Sequence, residues 1–151
     1  EVWLDGGHNP AAGAAIAAVL ARLETASRRT VFVCAMLRSK DVHGFLRPLR
    51  AHGAVLYAVP IPTREGLAMS APPLTAAETA AAAAAVGFAT HEADSPLEAV
   101  RHAVAHAPRA PGAPPLRLVI CGSLYLAGAV LHAYGPEVEP PTTTSSSSSR
   151  L

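Results

Sequence analysis

The chain of 151 residues carries a formal net charge of +1, which excludes a broad basic surface for nucleic acid and a polybasic membrane patch. Its longest apolar runs are dominated by alanine and are shorter than the roughly 20 residues that span a bilayer. With 50% hydrophobic but only 5% aromatic residues, one compact domain with a core of Ala, Val and Leu is expected. The composition therefore favours a small-molecule partner, and the N-terminal residues do not resemble a secretory signal.

The first ten residues predict a strand, a glycine turn and the start of a helix. Residues 2–4 are apolar, and Asp5 would stand at the carboxyl end of the strand. After the two glycines, His8 would lie in the turn, and Asn9 would cap a helix that begins at Pro10. In α/β proteins this geometry holds anionic ligands. It also recurs in folds that bind no nucleotide, where Asp5 would be a turn former and His8 an ordinary loop residue.

Further along the chain, helical segments alternate with short apolar strands. Strands are predicted over 30–35, 54–59 and 116–121, with a weaker one over 88–91. Helices are predicted over 10–24, 42–51, 75–86, 96–107 and 124–132, and capping boxes open the third and fourth. This order predicts an α/β fold with a Rossmann-like, doubly wound, mostly parallel sheet and helices on both faces.

The predicted helix over 96–107 carries two histidines at a spacing that metal sites use. Its buried face is marked by three apolar residues, Leu97, Val100 and Val104. His102 and His106 are four residues apart and could chelate a metal, but no third ligand is evident. We therefore interpret them as part of a solvated face and predict no metal ligands in this chain.

Two cysteines, Cys34 and Cys121, lie near the ends of predicted strands. Neither is beside an evident base, so we interpret both as reduced and buried rather than as a disulfide or a catalytic thiol. Reduced thiols are typical of a cytoplasmic protein.

Composition also divides the chain. Residues 60–73 form a long connection without periodicity, of the kind that often carries function. From residue 136 onward Pro, Thr and Ser predominate, so we expect a folded domain over 1–135 and a disordered tail over 136–151. Because the sequence lacks an initiator Met and begins almost directly with a strand, we expect a piece of a longer protein.

Four polar residues follow predicted strands, namely Asp5, His8, Lys40 and Ser123. Ligands of doubly wound sheets bind outside the carboxyl ends of the strands. We therefore expect these side chains to gather at a shared site.

Three segments, in this order and spacing, resemble one known family. They are L-D-G-G-H-N-P at 4–10, the stretch 36–41 that ends in K-D, and C-G-S-L-Y-L-A-G at 121–128. Together they resemble the carboxyl-terminal domain of bifunctional folylpolyglutamate synthase/dihydrofolate synthase over roughly residues 1–132. That family belongs to the Mur-ligase-like amide ligases, whose last domain is similar to a Rossmann fold and closes over an ATP-binding domain.

The resemblance implies an ATP-dependent ligation. A carboxylate of dihydropteroate or of a folyl-glutamate tail is phosphorylated, and the amine of L-glutamate attacks the acyl phosphate. The glycine-rich phosphate loop and the acidic Mg²⁺ ligands that phosphoryl transfer needs are absent from these residues. In the family they lie in the preceding N-terminal ATPase domain, so the fragment alone is expected to be inactive. The whole protein is expected to be a cytoplasmic monomer.

The resemblance also implies roles for individual residues. Asp5 matches the Asp that contacts ATP, and His8 matches the His near the transferring phosphate and the glutamate, so both are expected to bind ATP and His8 is expected to be catalytic. Lys40 and Ser123 match positions that hold carboxylates of the amino-acid substrate, for which a point charge and a short donor are suitable. Asn9 is interpreted as a helix cap rather than a ligand.

Two other readings stay open at this stage. The first is a Mur-type peptidoglycan ligase that uses another amino acid, and the second is a nucleotide-binding module without catalytic activity. Tyr125 is interpreted as a packing residue, and the loop that contains Arg64 does not align with the family pattern.

Overall fold

The computed structural model describes residues 1–23, 28–62 and 68–135, in which five strands alternate with helices. The strands are β1 (Val2–Leu4), β2 (Arg29–Cys34), β3 (Val55–Ala58), β4 (Ala89–Glu92) and β5 (Leu116–Cys121). The helices are α1 (Pro10–Leu23), α2 (Val42–Leu46), α3 (Ala76–Ala85), α4 (Pro96–Ala105) and α5 (Leu124–Tyr134). The predicted tail over 136–151 and residues 63–67 of the predicted long connection, including Arg64, lie outside the described residues.

The strands form one sheet in the order β1-β5-β2-β3-β4, and every pairing is parallel. The last strand of the chain, β5, is inserted between β1 and β2. Apolar residues of α1, α2 and α3 pack in one core cluster, and those of α4 and α5 pack in a second. The predicted α/β fold with helices on both faces of a parallel sheet is thereby confirmed.

The core contains all three phenylalanines of the chain. Phe32, Phe45 and Phe88 are buried, and the rings of Phe32 and Phe88 meet edge to face with 5.8 Å between their centres. Most of the remaining core consists of Leu, Val and Ala, as the composition predicted. No helix in the described ranges is both long and apolar enough to cross a membrane.

The predicted helix over 42–51 is wrong in its second half. The α-helix ends at Leu46, and a 3₁₀ helix spans Arg47–Ala51. Pro48 is the reason, because it has no N–H to donate to the carbonyl group of Gly44.

The buried face predicted for α4 is wrong at Val104, whereas Val100 packs against the core as predicted. The buried residues of α4 are Pro96, Ala99 and Ala103, whereas Val104 is 49% exposed. Ala99 and Ala103 lie four residues apart and belong to the core cluster, so the stripe that contains them faces the sheet. His102 and His106 lie on the exposed side, with 6.3 Å between their ring centres.

The buried guanidinium group of Arg117 joins the edge strand β1 to β5. It donates to the carboxylate of Glu1 and lies 4.9 Å from the centre of the Trp3 ring. This hydrogen bond holds the pKa of Glu1 below its usual value.

Candidate functional site

The carboxyl ends of β1, β5 and β2 open onto one cleft, because β5 lies between the other two strands. In parallel sheets such a change of strand order leaves a crevice in which ligands bind. The cleft has a volume of about 380 Å³. Its lining residues are His8, Leu37, Lys40, Ser70, Gly122, Ser123, Leu124 and Tyr125.

The turn after β1 presents His8 to the cleft. The N–H of Gly122 donates to the carbonyl oxygen of Gly7 over 3.0 Å, which ties the turn to β5. His8 Nδ1 lies 3.0 Å from the carbonyl oxygen of Gly6. Because a carbonyl oxygen can only accept, Nδ1 carries the proton of this hydrogen bond, and Nε2 is left for a ligand.

The end of the same turn confirms the predicted helix cap. Asn9 Oδ1 accepts a hydrogen bond of 2.9 Å from the N–H of Ala12. Pro10 is the first residue of α1. Asn9 therefore stabilises the helix start that fixes the turn.

The turn after β2 presents Lys40, which is half-buried. Asp41 caps α2 by accepting a hydrogen bond of 2.8 Å from the N–H of Gly44. Arg38 forms an ion pair of 2.7 Å with Glu78. Within the described ranges, Lys40 has no carboxylate at ion-pair distance.

Glu78, which forms the ion pair with Arg38, also belongs to the capping box predicted at the start of α3. Thr75 and Glu78 exchange the expected hydrogen bonds, which confirms that box. Donation from the backbone of Thr75 and from Arg38 holds the pKa of Glu78 below its usual value. The carboxylate is therefore charged at neutral pH and holds the Lys40 turn against α3.

Lys40 has a further property that the sequence shows directly. Among the twelve basic residues of the chain it is the single lysine. Lys and Arg differ in shape and hydration, and a lysine acts as a compact point charge. Lys40 therefore brings a compact positive charge to the cleft.

The turn after β5 presents Ser123, which is only 2% exposed. Its Oγ accepts hydrogen bonds from the N–H groups of Tyr125, at 3.1 Å, and Leu126, at 3.4 Å. Ser123 therefore caps α5. Since both accepted bonds use oxygen lone pairs, the hydroxyl proton is left to donate to a ligand.

The structure brings His8, Lys40 and Ser123 together, but it places Asp5 elsewhere. Asp5 lines a neighbouring cavity of about 230 Å³ between β1 and α1. Its carboxylate accepts a hydrogen bond of 2.6 Å from the N–H of Gly7, and this bond directs it back into its own turn. Of the four predicted residues, three share the cleft.

Sequence reasoning missed a polar role for Tyr125. The N–H of Ser70 donates to its phenol oxygen over 3.2 Å, and that oxygen lies 3.4 Å from the carbonyl oxygen of Ala68. Tyr125 thus joins α5 to the segment that contains Ser70. No local pattern marks Ser70, because the two residues are 55 positions apart.

Cys34 and Cys121 lie side by side in β2 and β5, behind the cleft. Both are free and buried, as the sequence predicted. The hydrogen bond with Cys34 and burial both raise the pKa of the Cys121 thiol. Neither group is placed to act as a nucleophile on a ligand.

We expect both thiols to resist modification in the native protein. A thiol reagent at pH 8 should react at least about 100-fold more slowly with the folded chain than with the chain in denaturant, because reaction requires local opening. With a disulfide reagent, the absorbance of the thiolate that the reagent releases measures this rate. Rapid stoichiometric reaction of the native chain would contradict the burial described here.

The fold and the cleft together define a parallel α/β domain with a cleft at the carboxyl ends of its strands. The sequence model of the dihydrofolate synthetase C-terminal domain matches residues 1–133. The chain belongs to this family of C-terminal domains of folylpolyglutamate and dihydrofolate synthases. The search of curated proteins gave no match.

Solved structures agree with the family. Mycobacterium tuberculosis folylpolyglutamate synthase complexed with ADP and AMPPCP is 28% identical, with a TM-score of 0.76 over 91% of this chain and 30% of that one. E. coli FolC in complex with DHPP and ADP is 23% identical, with a TM-score of 0.69 over 87% of this chain and 28% of that one. At that lower identity the likeness shows the fold alone.

A third structure carries an amino acid. It is a bifunctional folylpolyglutamate synthase/dihydrofolate synthase with Mn, AMPPNP and L-glutamate bound, 24% identical, with a TM-score of 0.60 over 86% of this chain and 28% of that one. The chain therefore spans less than a third of the length of the solved structures that it matches. The predicted resemblance to the Mur-ligase-like C-terminal domains is confirmed.

Proposed function

We propose that this chain is the C-terminal domain of an ATP-dependent ligase that joins L-glutamate to dihydropteroate, to folylpolyglutamate, or to both. The observation that carries the proposal is the cleft in which His8, Lys40 and Ser123 meet, in a member of this family. The ligase would be a cytoplasmic monomer, and an N-terminal ATPase domain would supply the phosphate-binding loop.

The residues of the cleft match the chemical needs of such a ligation. The carboxylate of the folate substrate takes the γ-phosphoryl group of ATP and ADP leaves, and the amine of L-glutamate then loses a proton and displaces phosphate from the acyl phosphate to form the amide. The ammonium group of Lys40 and the hydroxyl proton of Ser123 would bind carboxylates of glutamate. When protonated, Nε2 of His8 would donate to phosphate oxygens and would stabilise the negative charge that develops on them during the displacement.

Asp5 would contact the nucleotide from the other side of the β1 turn. Its cavity is lined by Trp3 and the apolar face of α1, and it is separate from the cleft that contains Lys40. Asp5 would thus contact the nucleotide from one side of the turn, while His8 would face the cleft and contact both the transferred phosphate and the glutamate.

The described part of the chain does not fit a resident metal ion. Among the described residues, no group of three or more His, Cys, Asp or Glu side chains is arranged to hold one. A related structure holds a Mn ion together with AMPPNP. We propose that Mg²⁺ in the whole ligase is held by residues of the N-terminal ATPase domain.

The test is transfer of labelled L-glutamate by the protein at its natural full length. With ATP and Mg²⁺ present, we expect transfer to dihydropteroate, to tetrahydrofolate, or to both, each assayed separately. Transfer of another amino acid instead would favour a Mur-type ligase. Binding of nucleotide with no transfer to either substrate would favour a module without catalytic activity.

The variant Lys40→Met tests whether Lys40 binds L-glutamate. Loss of a charge-assisted hydrogen bond costs about 1.5 to 3 kcal/mol, so KM for L-glutamate should rise by about 10-fold or more. Arg101→Met, on the exposed side of α4, is the matched control and should leave KM unchanged. An unchanged KM in Lys40→Met would remove Lys40 from the site.

Ser123→Ala is a weaker test, because it also removes the cap of α5. Loss of a serine cap costs about 1 kcal/mol of stability by itself. Protection of Lys40 from an amine reagent by L-glutamate is a cleaner second test. Lys40 is the single lysine of these 151 residues, so its labelled peptide is readily identified by mass spectrometry.

A further inference from the structure

One wall of the cleft is the segment 68–74, which we call the wall segment. Its C-terminal half is bonded to the turn that carries Lys40. The N–H of Arg38 donates to the carbonyl oxygen of Pro72 over 2.9 Å, and the N–H of Leu74 donates to that of Met36 over 2.9 Å. This half is therefore held by backbone hydrogen bonds.

The N-terminal half of the wall segment is held differently. Met69 and Ala71 pack against the core cluster on the side of α4 and α5, and Ser70 between them lines the cleft. In the part of the chain that the structure describes, the polar contacts of Ala68 and Ser70 are both with the phenol oxygen of Tyr125.

Tyr125 also contacts the serine that is proposed to bind glutamate. Its backbone N–H donates to Ser123 Oγ over 3.1 Å, while its phenol oxygen accepts from the N–H of Ser70. One residue in the first turn of α5 thus joins two walls of the cleft. Removal of the phenol oxygen would leave the contact with Ser123 intact.

We propose that Tyr125 is a positioning residue whose phenol fixes Ser70 in the cleft wall and thereby sets the affinity for the amino-acid substrate. This inference rests on the proposed function. A small, flexible, charged ligand binds well only to a site whose walls are already in place. If the wall is in place for only a fraction of the time, the apparent affinity is the intrinsic affinity multiplied by that fraction.

The test is Tyr125→Phe in the protein at its natural full length. Phenylalanine keeps the ring in place and removes the oxygen. KM for L-glutamate should rise about 3- to 10-fold, which corresponds to about 0.6 to 1.4 kcal/mol and lies within the contribution of a single hydrogen bond. The kcat at saturating glutamate and the KM for ATP should stay within about twofold, since no reacting group is removed.

Tyr134→Phe is the matched control. Tyr134 is the last residue of α5 and is 59% exposed, so all kinetic constants should equal those of the wild type. Hydrogen exchange of the free protein gives a readout that does not depend on turnover. The amide of Ser70 should exchange faster in Tyr125→Phe and not in Tyr134→Phe.

The possible failures can be told apart. If the wild type transfers glutamate and Tyr125→Phe leaves its KM unchanged, the inference is overturned and the proposed function stands. A fall in kcat together with a similar rise in every KM would also overturn it, because a general loss of structure would then be the cause. If the wild type transfers no glutamate, both the proposed function and this inference are rejected.

Discussion

Replacement of His8 by alanine, in the protein at its natural full length, is expected to lower kcat for glutamate transfer by about 100- to 1000-fold. The stability should change by only about 1 kcal/mol, because the side chain makes one hydrogen bond to the fold, from Nδ1 to the carbonyl oxygen of Gly6. That bond orients the ring and leaves Nε2 for the transition state. The loss should therefore appear in turnover rather than in folding.

Steady-state kinetics at saturating ATP, together with urea unfolding, measure both effects. His8→Gln keeps a side-chain donor and should retain part of the rate. His132→Ala is the control, because His132 is exposed and lies near the far end of α5. Near-normal turnover in His8→Ala would reject the role proposed for this residue.

The alternation of strands and helices could be predicted because it depends on local patterns. The run that becomes β2 is apolar on both faces, as a strand covered on both sides must be. The capping box at Thr75 and Glu78 marks the start of α3 without any tertiary information. Where the outcome depended on packing, the prediction was wrong at Val104: it has the spacing of a buried residue, but Ala99 and Ala103 face the core and Val104 is exposed.

The convergence of His8, Lys40 and Ser123 could be predicted as well, for a reason of topology. Each follows a strand, and parallel strands bring their carboxyl ends to one edge of the sheet. The same argument does not fix where a side chain points. Asp5 follows β1 as predicted, yet its bond to the N–H of Gly7 holds it away from the other three.

The contact between Tyr125 and Ser70 could not be predicted in this way. Neither residue belongs to a periodic pattern that links them, and the wall segment has no helix or strand of its own. Only the finished fold brings the phenol to the backbone of Ser70. By contrast, the single lysine at position 40 is a signal in the composition, because a chain that uses arginine at eleven other basic positions has a lysine at the cleft.

Replacement of Gly122 by alanine in the 151-residue chain is expected to lower the free energy of unfolding by about 4 kcal/mol. Gly122 has a φ of +100°, in the region that side chains avoid, and the backbone strain of a non-glycine residue there costs about 1 to 3 kcal/mol. An added Cβ would also lie 2.7 Å from both the carbonyl oxygen of Ala35 and Cys34 Sγ. Overpacking of this kind costs about 1 to 3 kcal/mol more.

Three other glycines separate these two causes. At Gly112, φ is +82° and nothing lies within 4 Å of an added Cβ, so Gly112→Ala should show the backbone cost alone. An added Cβ at Gly13 would approach the backbone oxygen of Phe45 to an impossible distance, without a positive φ, so Gly13→Ala should show the clash alone. Gly128→Ala has neither problem and should stabilise α5 by about 0.5 to 1 kcal/mol.

Urea unfolding of the four alanine variants then tests how the cleft is built. If both causes act, Gly122→Ala should be more destabilised than Gly112→Ala by about the cost of a clash. Equal destabilisation of these two variants would mean that the end of β5 shifts to make room for a methyl group. In that case Ser123, the next residue, would not be held rigidly against β2, and its proposed contact with glutamate would need a different support.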